Sequence, residues 1–204
     1  MVGVDFVTKE FKVHGLVPDV ISTPPENLLI LEFGSLRVAN LGNELSIADT
    51  ARAPTAISWP SEENALYTLV FGDADVPSRT DGTGRSFLHW LVTNIPESDL
   101  HDGNTIKGYV GPGAPQNTGL HRYYFLVYKQ NGRITENDAS DGYHGPNKEK
   151  MFTYIDEKYG SDPALAALIK AGVCWSPERF AKKHGLGAPV AGNFFQTQWK
   201  ETSA

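Results

Sequence analysis

The sequence predicts an all-β protein with peripheral helices: an antiparallel β-sandwich followed by short C-terminal helices. Three observations predict it. From about residue 28 onward, short apolar runs are separated by Gly, Pro, Asn and Asp, the texture of strands and tight turns. Two of those runs, His89-Trp90-Leu91-Val92 and Tyr123 to Tyr128, are apolar on both faces, as strands are when covered on two sides. Helical signals gather late in the chain, between residues 147 and 185.

In chain order, Thr8 to Gly15 reads as a short helix with Phe11 as its apolar contact. Strands are expected over Leu28–Phe33, Ala53–Trp59, Leu66–Gly72, Phe87–Ile95, Leu120–Gln130 and Phe194–Trp199, with Asn40-Leu41-Gly42-Asn43 as a turn. Met151, Phe152, Ile155 and Tyr159 recur at helical spacing. Ser161-Asp162-Pro163 is a cap followed by a first-turn proline, ahead of the apolar positions Leu165, Leu168 and Ile169 and the stop at Gly172. Ser176-Pro177 repeats the start signal. Lys182, Lys183 and His184 suit the dipole of a last turn, and Gly185 ends it.

Bulk properties narrow the function. An apolar fraction of 40%, with 10 Phe, 8 Tyr and 4 Trp in 204 residues, is enough for a sizeable core and excludes a disordered or fibrous chain. No repeat or linker divides it, so residues 1–204 read as a single domain, expected to be monomeric. A net charge of −6 argues against nucleic acid, whose binding needs a basic face. The one cysteine, Cys174, makes no internal disulfide, which suggests a reducing compartment. The N-terminus lacks the apolar run of a secretory signal, and no stretch approaches the roughly 18 to 20 apolar residues that span a bilayer. A cytoplasmic location, with at most peripheral membrane contact, is expected.

Of six histidines, His14, His101, His144 and His184 sit in polar or terminal contexts. His89 and His121 each stand near the start of an apolar strand, sharing a face with Phe87 and Leu91 or with Tyr123 and Phe125. Either each satisfies a local hydrogen bond in the core, or the two imidazoles converge with a carboxylate on one mouth. Gly72-Asp73-Ala74-Asp75-Val76-Pro77 follows a strand directly and is turn chemistry bearing two carboxylates. Tyr109 to Pro115 is small, stiff and Gly-rich, fit for a connecting loop or for a wall where backbone amides approach a ligand.

Together, YTLVFGDADVPSR with FLHWLVTNI, and YVGPGAPQNTGLHRYYFLVYKQ, resemble the two signature stretches of the phosphatidylethanolamine-binding protein family. VPDVI near residue 17 and LGAPVAGNFFQTQW near the end resemble it too. The resemblance implies a Greek-key sandwich and a pocket lined by Asp73, His89 and His121, with Val76, Pro77, Phe87, Val110, Gly111, Gly113, Pro115 and Tyr123 around them. It also implies cis bonds at Val76-Pro77 and Arg85-Ser86. The family's first motif carries proline where this chain has Ala74. Residues 147–175 look like an insertion, and the helix that covers the pocket in many members is not expected after Trp199; the insertion either takes its place as a cover or packs far from the site.

By this resemblance the chain is a non-enzymatic binding protein for a phosphoryl headgroup such as phosphatidylethanolamine, or for a small anion such as phosphate or acetate. Imidazole and loop N–H groups are the expected donors. Arg79, Arg85 and Arg122 stand near the motifs and suggest a positive rim, although Arg122 points opposite to His121 and suits a structural role. The resemblance also implies inhibitors of serine proteases or kinases acting through surface contacts. Two His and one Asp leave a metal-dependent phosphoesterase as a further alternative, but no metal-site motif, nucleophile elbow or P-loop occurs. No cofactor or metal is expected.

Overall fold

A computed structural model of the chain describes residues 4–34, 36–136 and 144–201. Residues 1–3 and 137–143, which fall in the leader reading and at the end of the long stretch of resemblance, lie outside the described residues. Among the described residues there are nine strands: β1 Asn27–Leu28, β2 Ile30–Phe33, β3 Arg37–Val38, β4 Ala56–Ser58, β5 Leu66–Asp73, β6 Phe87–Pro96, β7 Asn104–Lys107, β8 His121–Lys129 and β9 Ala191–Thr197. Helices are α1 Val4–Val13, α2 Leu16–Asp19, α3 Lys148–Tyr159, α4 Pro163–Lys170 and α5 Pro177–His184. A six-stranded sheet runs β1-β9-β8-β5-β6-β7, and a three-stranded sheet runs β3-β2-β4.

The β5–β6–β8 heart of the large sheet is covered on both faces, which is why its strands read as apolar on both sides. On one face the small sheet contributes Leu31 and Phe33 to a core with Leu69, Phe71, Phe125 and Phe195. The Phe33 ring meets Phe195 edge-on at 5.6 Å, a favourable aromatic geometry. The opposite face is covered by helices, where Phe11 and Phe180 pack with Val70, Tyr124, Leu126 and Phe194. A third, smaller apolar cluster joins Met151, Ile155, Ala166 and Val173 to Val76 and Phe87.

Two expectations are corrected. The fold is a sandwich in outline, yet the large sheet is mixed rather than antiparallel: β1 pairs with β9 in parallel. Helices also cover a full sheet face and are not confined to the C-terminal end. The caps read in the sequence are used: the Asp162 and Ser176 side chains accept from the Leu165 and Arg179 amides, and Gly185 ends α5 in the left-handed region at φ 62°. Along α4, however, the buried position is Ala166, while Leu165 and Leu168 are 39% and 51% exposed. The small Ala166 side chain lets α4 lie close against α3, and its larger neighbours then turn outward.

Candidate functional site

Three strand ends meet at one end of the large sheet. Register places Asp73, the last residue of β5, opposite Phe87 on β6 and Tyr123 on β8. A shift in pairing with β6 between Phe71 and Gly72 is the sort of bulge that re-aims a following side chain. The strand ends at Asp73, so its alternation, which would put residues two apart on one face, does not extend through the Asp-Ala-Asp turn. Asp73 faces the cavity, and Asp75 faces the other way, onto Arg122.

Asp73 is almost wholly buried and heavily engaged. Its Oδ2 accepts from His121 Nδ1 at 2.8 Å, and its Oδ1 accepts from the Asp75 amide at 2.8 Å. The Tyr123 hydroxyl hydrogen-bonds to the same carboxylate, and burial together with that negative charge pushes the phenol well above its ordinary value. Tyr123 in turn accepts from the Gly113 amide at 3.3 Å. The carboxylate therefore positions the histidine and the tyrosine, with little accepting capacity left for a ligand ammonium.

His121 has both nitrogens engaged. Nε2 lies 2.8 Å from Thr118 Oγ1, and that hydroxyl lies 2.7 Å from the Pro115 carbonyl. A hydroxyl has one proton. If it goes to Pro115, the imidazole must donate through both nitrogens, giving an imidazolium beside the Asp73 carboxylate. If it goes to Nε2, the ring is neutral and Pro115 loses its donor.

His89 is different. Nδ1 donates to the Val110 carbonyl at 2.8 Å, and the Val110 amide returns a bond to the His89 carbonyl at 2.9 Å. This double clamp holds the Gly-rich loop to β6. Farther along, Gly111 passes so near Ala51 that a Cβ would stand 2.9 Å from its carbonyl oxygen. With Nδ1 occupied, Nε2 is the imidazole nitrogen left for a ligand. Burial pushes this histidine down to about 4, the Asp73 charge opposing only in part. At neutral pH it therefore presents a lone pair. The expectation of two imidazole donors is corrected: one histidine is internally engaged and the other is an acceptor until it takes up a proton.

All eleven residues expected at the pocket line one half-open cavity of about 420 Å³. The arginines expected at its rim do not. Arg122 Nε donates to Asp75 at 2.8 Å and Nη2 to Asp19 at 2.8 Å. Arg85 pairs with Asp19 at 2.9 Å, and Arg79 donates to the His14 carbonyl at 3.1 Å. Burial disfavours the Arg122 charge, but Asp75 and Asp19 outweigh it and raise the group further. For Asp75, burial pushes upward while Arg122 pulls harder downward.

Sequence reasoning missed Thr118 and Gln116, and it missed the lysines. Lys158 lines the cavity from α3. Lys107, on β7, holds Nζ 5.2 Å from the centre of the Phe87 ring, and burial brings it down to about 8. Nothing in Asn-Thr-Ile-Lys marks such a position beforehand. Residues 148–173 add Met151, Ile155, Ile169 and Val173 to the wall, so this segment does stand beside the cavity.

Comparison with known proteins bears on this arrangement. A family model described as "Phosphatidylethanolamine-binding protein" matches residues 35–195. The chain is 32% identical over 184 residues to a 26 kDa secreted antigen of Toxocara canis, covering 90% of this chain but 61% of that relative's length. It superimposes on carboxypeptidase Y inhibitor, solved in complex with its cognate proteinase, with a TM-score of 0.72 at 24% identity over 97% of both chains. A phosphatidylethanolamine-binding protein from Plasmodium vivax gives 0.68 at 26% identity, over 95% of this chain and 98% of that one. The secreted relative overturns the expected cytoplasmic location and points to an extracellular one. The lone cysteine misleads because it is buried, and burial raises its thiol to about 11. A shielded, un-ionised thiol survives in either compartment.

Proposed function

Because the chain belongs to the phosphatidylethanolamine-binding protein family, we propose that it is a non-enzymatic receptor for a phosphoryl group, bound singly in the cavity of Asp73, His89 and His121. The observation that carries the reading is the convergence of an oriented imidazole–carboxylate pair and one unengaged imidazole nitrogen on the same cavity.

The geometry favours a phosphoryl group that brings its own proton. A monoester or inorganic phosphate donates its P–OH to His89 Nε2 while its anionic oxygens face the Thr118–His121 side and the Lys158 rim. A diester has no such proton and binds only if His89 becomes an imidazolium, which its burial resists at neutral pH. Binding of a diester such as the phosphatidylethanolamine headgroup is therefore coupled to proton uptake.

Calorimetry with inorganic phosphate and phosphoethanolamine, in buffers of different ionisation enthalpy, tests both statements. Binding is expected, with His121→Ala weakening it about tenfold or more, because the Asp73–His121–Thr118 chain that shapes that side of the cavity is lost. Unchanged affinity in that variant places the site elsewhere. A second reading, inhibition of a serine carboxypeptidase through surface contacts, draws on the solved complex of carboxypeptidase Y inhibitor. Titration of the protein against carboxypeptidase Y checks it, and undiminished peptidase activity at excess protein removes it.

A further inference from the structure

We propose a second small-molecule site, in a cavity between α5 and the far end of β8, which takes a neutral, mainly apolar carbonyl compound whose oxygen accepts from the Tyr128 hydroxyl. Tyr128 is 1% exposed, and its hydroxyl has no hydrogen-bond partner among the described residues. Other core tyrosines are engaged. Tyr109 donates to the Thr50 carbonyl at 2.7 Å, and the Tyr67 hydroxyl accepts from the Glu62 amide at 2.9 Å. A buried donor left unpaired costs free energy that phenylalanine would avoid at nearly the same size. Such a group in a folded protein calls for a partner from outside the chain.

Tyr128 lines a half-open cavity of about 370 Å³, together with the buried apolar side chains of Ile21, Ala181 and Pro189. That is room for a small ligand with an apolar body. Strand alternation sets the site apart from the first one. Tyr124, Leu126 and Tyr128 join the helix-covered core, whereas Tyr123, Phe125 and Val127 join the other. His121 and Tyr128 also stand near opposite ends of β8, roughly 23 Å apart at about 3.3 Å per residue. The two cavities share no lining residue. Glu178, on α5, accepts from the Ser22 amide at 2.9 Å and lines the same cavity. Burial first, then Tyr124 and the Glu178 charge, hold the Tyr128 phenol well above its ordinary value. The hydroxyl therefore keeps its proton and is a donor. The influence of Glu178 places the hydroxyl end of the ring toward the cavity, and the same negative charge disfavours a carboxylate or phosphate there. Lys182 is exposed, so its charge stays hydrated at the mouth. A neutral oxygen on an apolar body is what remains.

The test compares two compounds of one shape by fluorine NMR titration: 4′-fluoroacetophenone, and 1-ethyl-4-fluorobenzene, which lacks the oxygen. The ketone is expected to bind the wild-type protein. Tyr128→Phe is expected to weaken ketone binding about threefold to tenfold, the value of one hydrogen bond, while the hydrocarbon stays within about twofold. His121→Ala is expected to leave ketone binding unchanged, because that residue lies in the other cavity. In the free protein, Tyr128→Phe is expected to melt at the wild-type temperature or above it, since no hydrogen bond is lost. A lower midpoint, or failure of this variant to fold, would show that water already satisfies the hydroxyl, and overturns the proposal. So does absence of ketone binding, or a ketone affinity that Tyr128→Phe leaves unchanged. Loss of ketone binding in His121→Ala would put the ketone in the phosphoryl cavity and overturns it too. None of these outcomes bears on phosphate affinity, which stands or falls by its own titration.

Discussion

Two carboxylates stand two residues apart, Asp73 and Asp75, and the turn that follows β5 sends them into opposite worlds. Asp75 is held by guanidinium groups and one backbone amide: it accepts from the Arg122 Nε and the Arg122 amide at 2.8 Å each, with Arg85 at 3.6 Å. Asp73 meets His121 at 2.8 Å and a tyrosine hydroxyl, and beside them stands His89 with a nitrogen still open. One side is saturated by groups that do not titrate in the working range, and it holds α2 and the turn to the sheet. The other ends in groups whose protons can move. A buried carboxylate paired with guanidinium makes structure; one paired with imidazole makes a receptor.

The largest expected effect breaks the structural side. Arg122→Met leaves Asp75 buried without its main partner and is expected to cost about 3 to 5 kcal/mol, read from urea unfolding, with Asp75→Leu added in the same chain restoring much of it. Asp73→Asn keeps a neutral acceptor in place and is expected to cost about 1 to 2 kcal/mol while loosening the hold on His121. Equal costs in the two variants would erase the distinction between the sides.

Acid separates the sides by window. The His89 value is lowered in the folded state from 6.5 to about 4, so the unfolded chain takes up a proton there first. Stability is expected to fall as pH drops from 6.5 to 4, by about 3 kcal/mol for this group, and then to level off. His89→Asn, whose amide can still donate to Val110, is expected to flatten that limb of the pH–stability curve. Asp75 is lowered below 3.8; its contribution is present above that value and lost only as pH falls through the folded one. A variant curve parallel to the wild type over pH 6.5 to 4 would show that His89 is not buried neutral.

The smallest effect sharpens the receptor side. Thr118→Ala releases His121 Nε2 from its internal partner, so phosphate affinity at pH 7 is expected to rise about fivefold, roughly the net value of one hydrogen bond. A fall in affinity on calorimetry would make the Thr118 hydroxyl itself a ligand contact.

The long apolar runs of β5, β6 and β8 were legible because two-sided burial leaves a continuous signal in the sequence. β3 and β7 were not: Arg37-Val38 and Asn104–Lys107 are short edges in which few side chains meet a core. The parallel pairing of β1 with β9 has no local signature, since it joins residues more than 160 positions apart. In the site, the motif positions were legible as residue types. Proton roles were not, because whether His89 shows a donor or an acceptor depends on a carbonyl 21 residues away. The arginines misled for a related reason: their partners Asp19 and Asp75 become neighbours only in the folded chain.

The position of β9, between β1 and β8, also sets when this protein can fold. Phe194 and Phe195 are neighbours in sequence yet enter the two different cores, Phe194 against Phe11 at 5.1 Å and Phe195 against Tyr123 at 5.6 Å. Neither core closes before that strand arrives. During synthesis, the 68 residues separating Lys129 from Thr197 take on the order of 3 to 14 s at about 5 to 20 residues per second. Through that interval the β8 edge, carrying Tyr124, Leu126 and Tyr128, has no strand to pair with. An unpaired apolar edge is a template for association with other chains, so the nascent protein is most open to aggregation during those seconds. Loss of the ninth strand is expected to remove the folded state altogether.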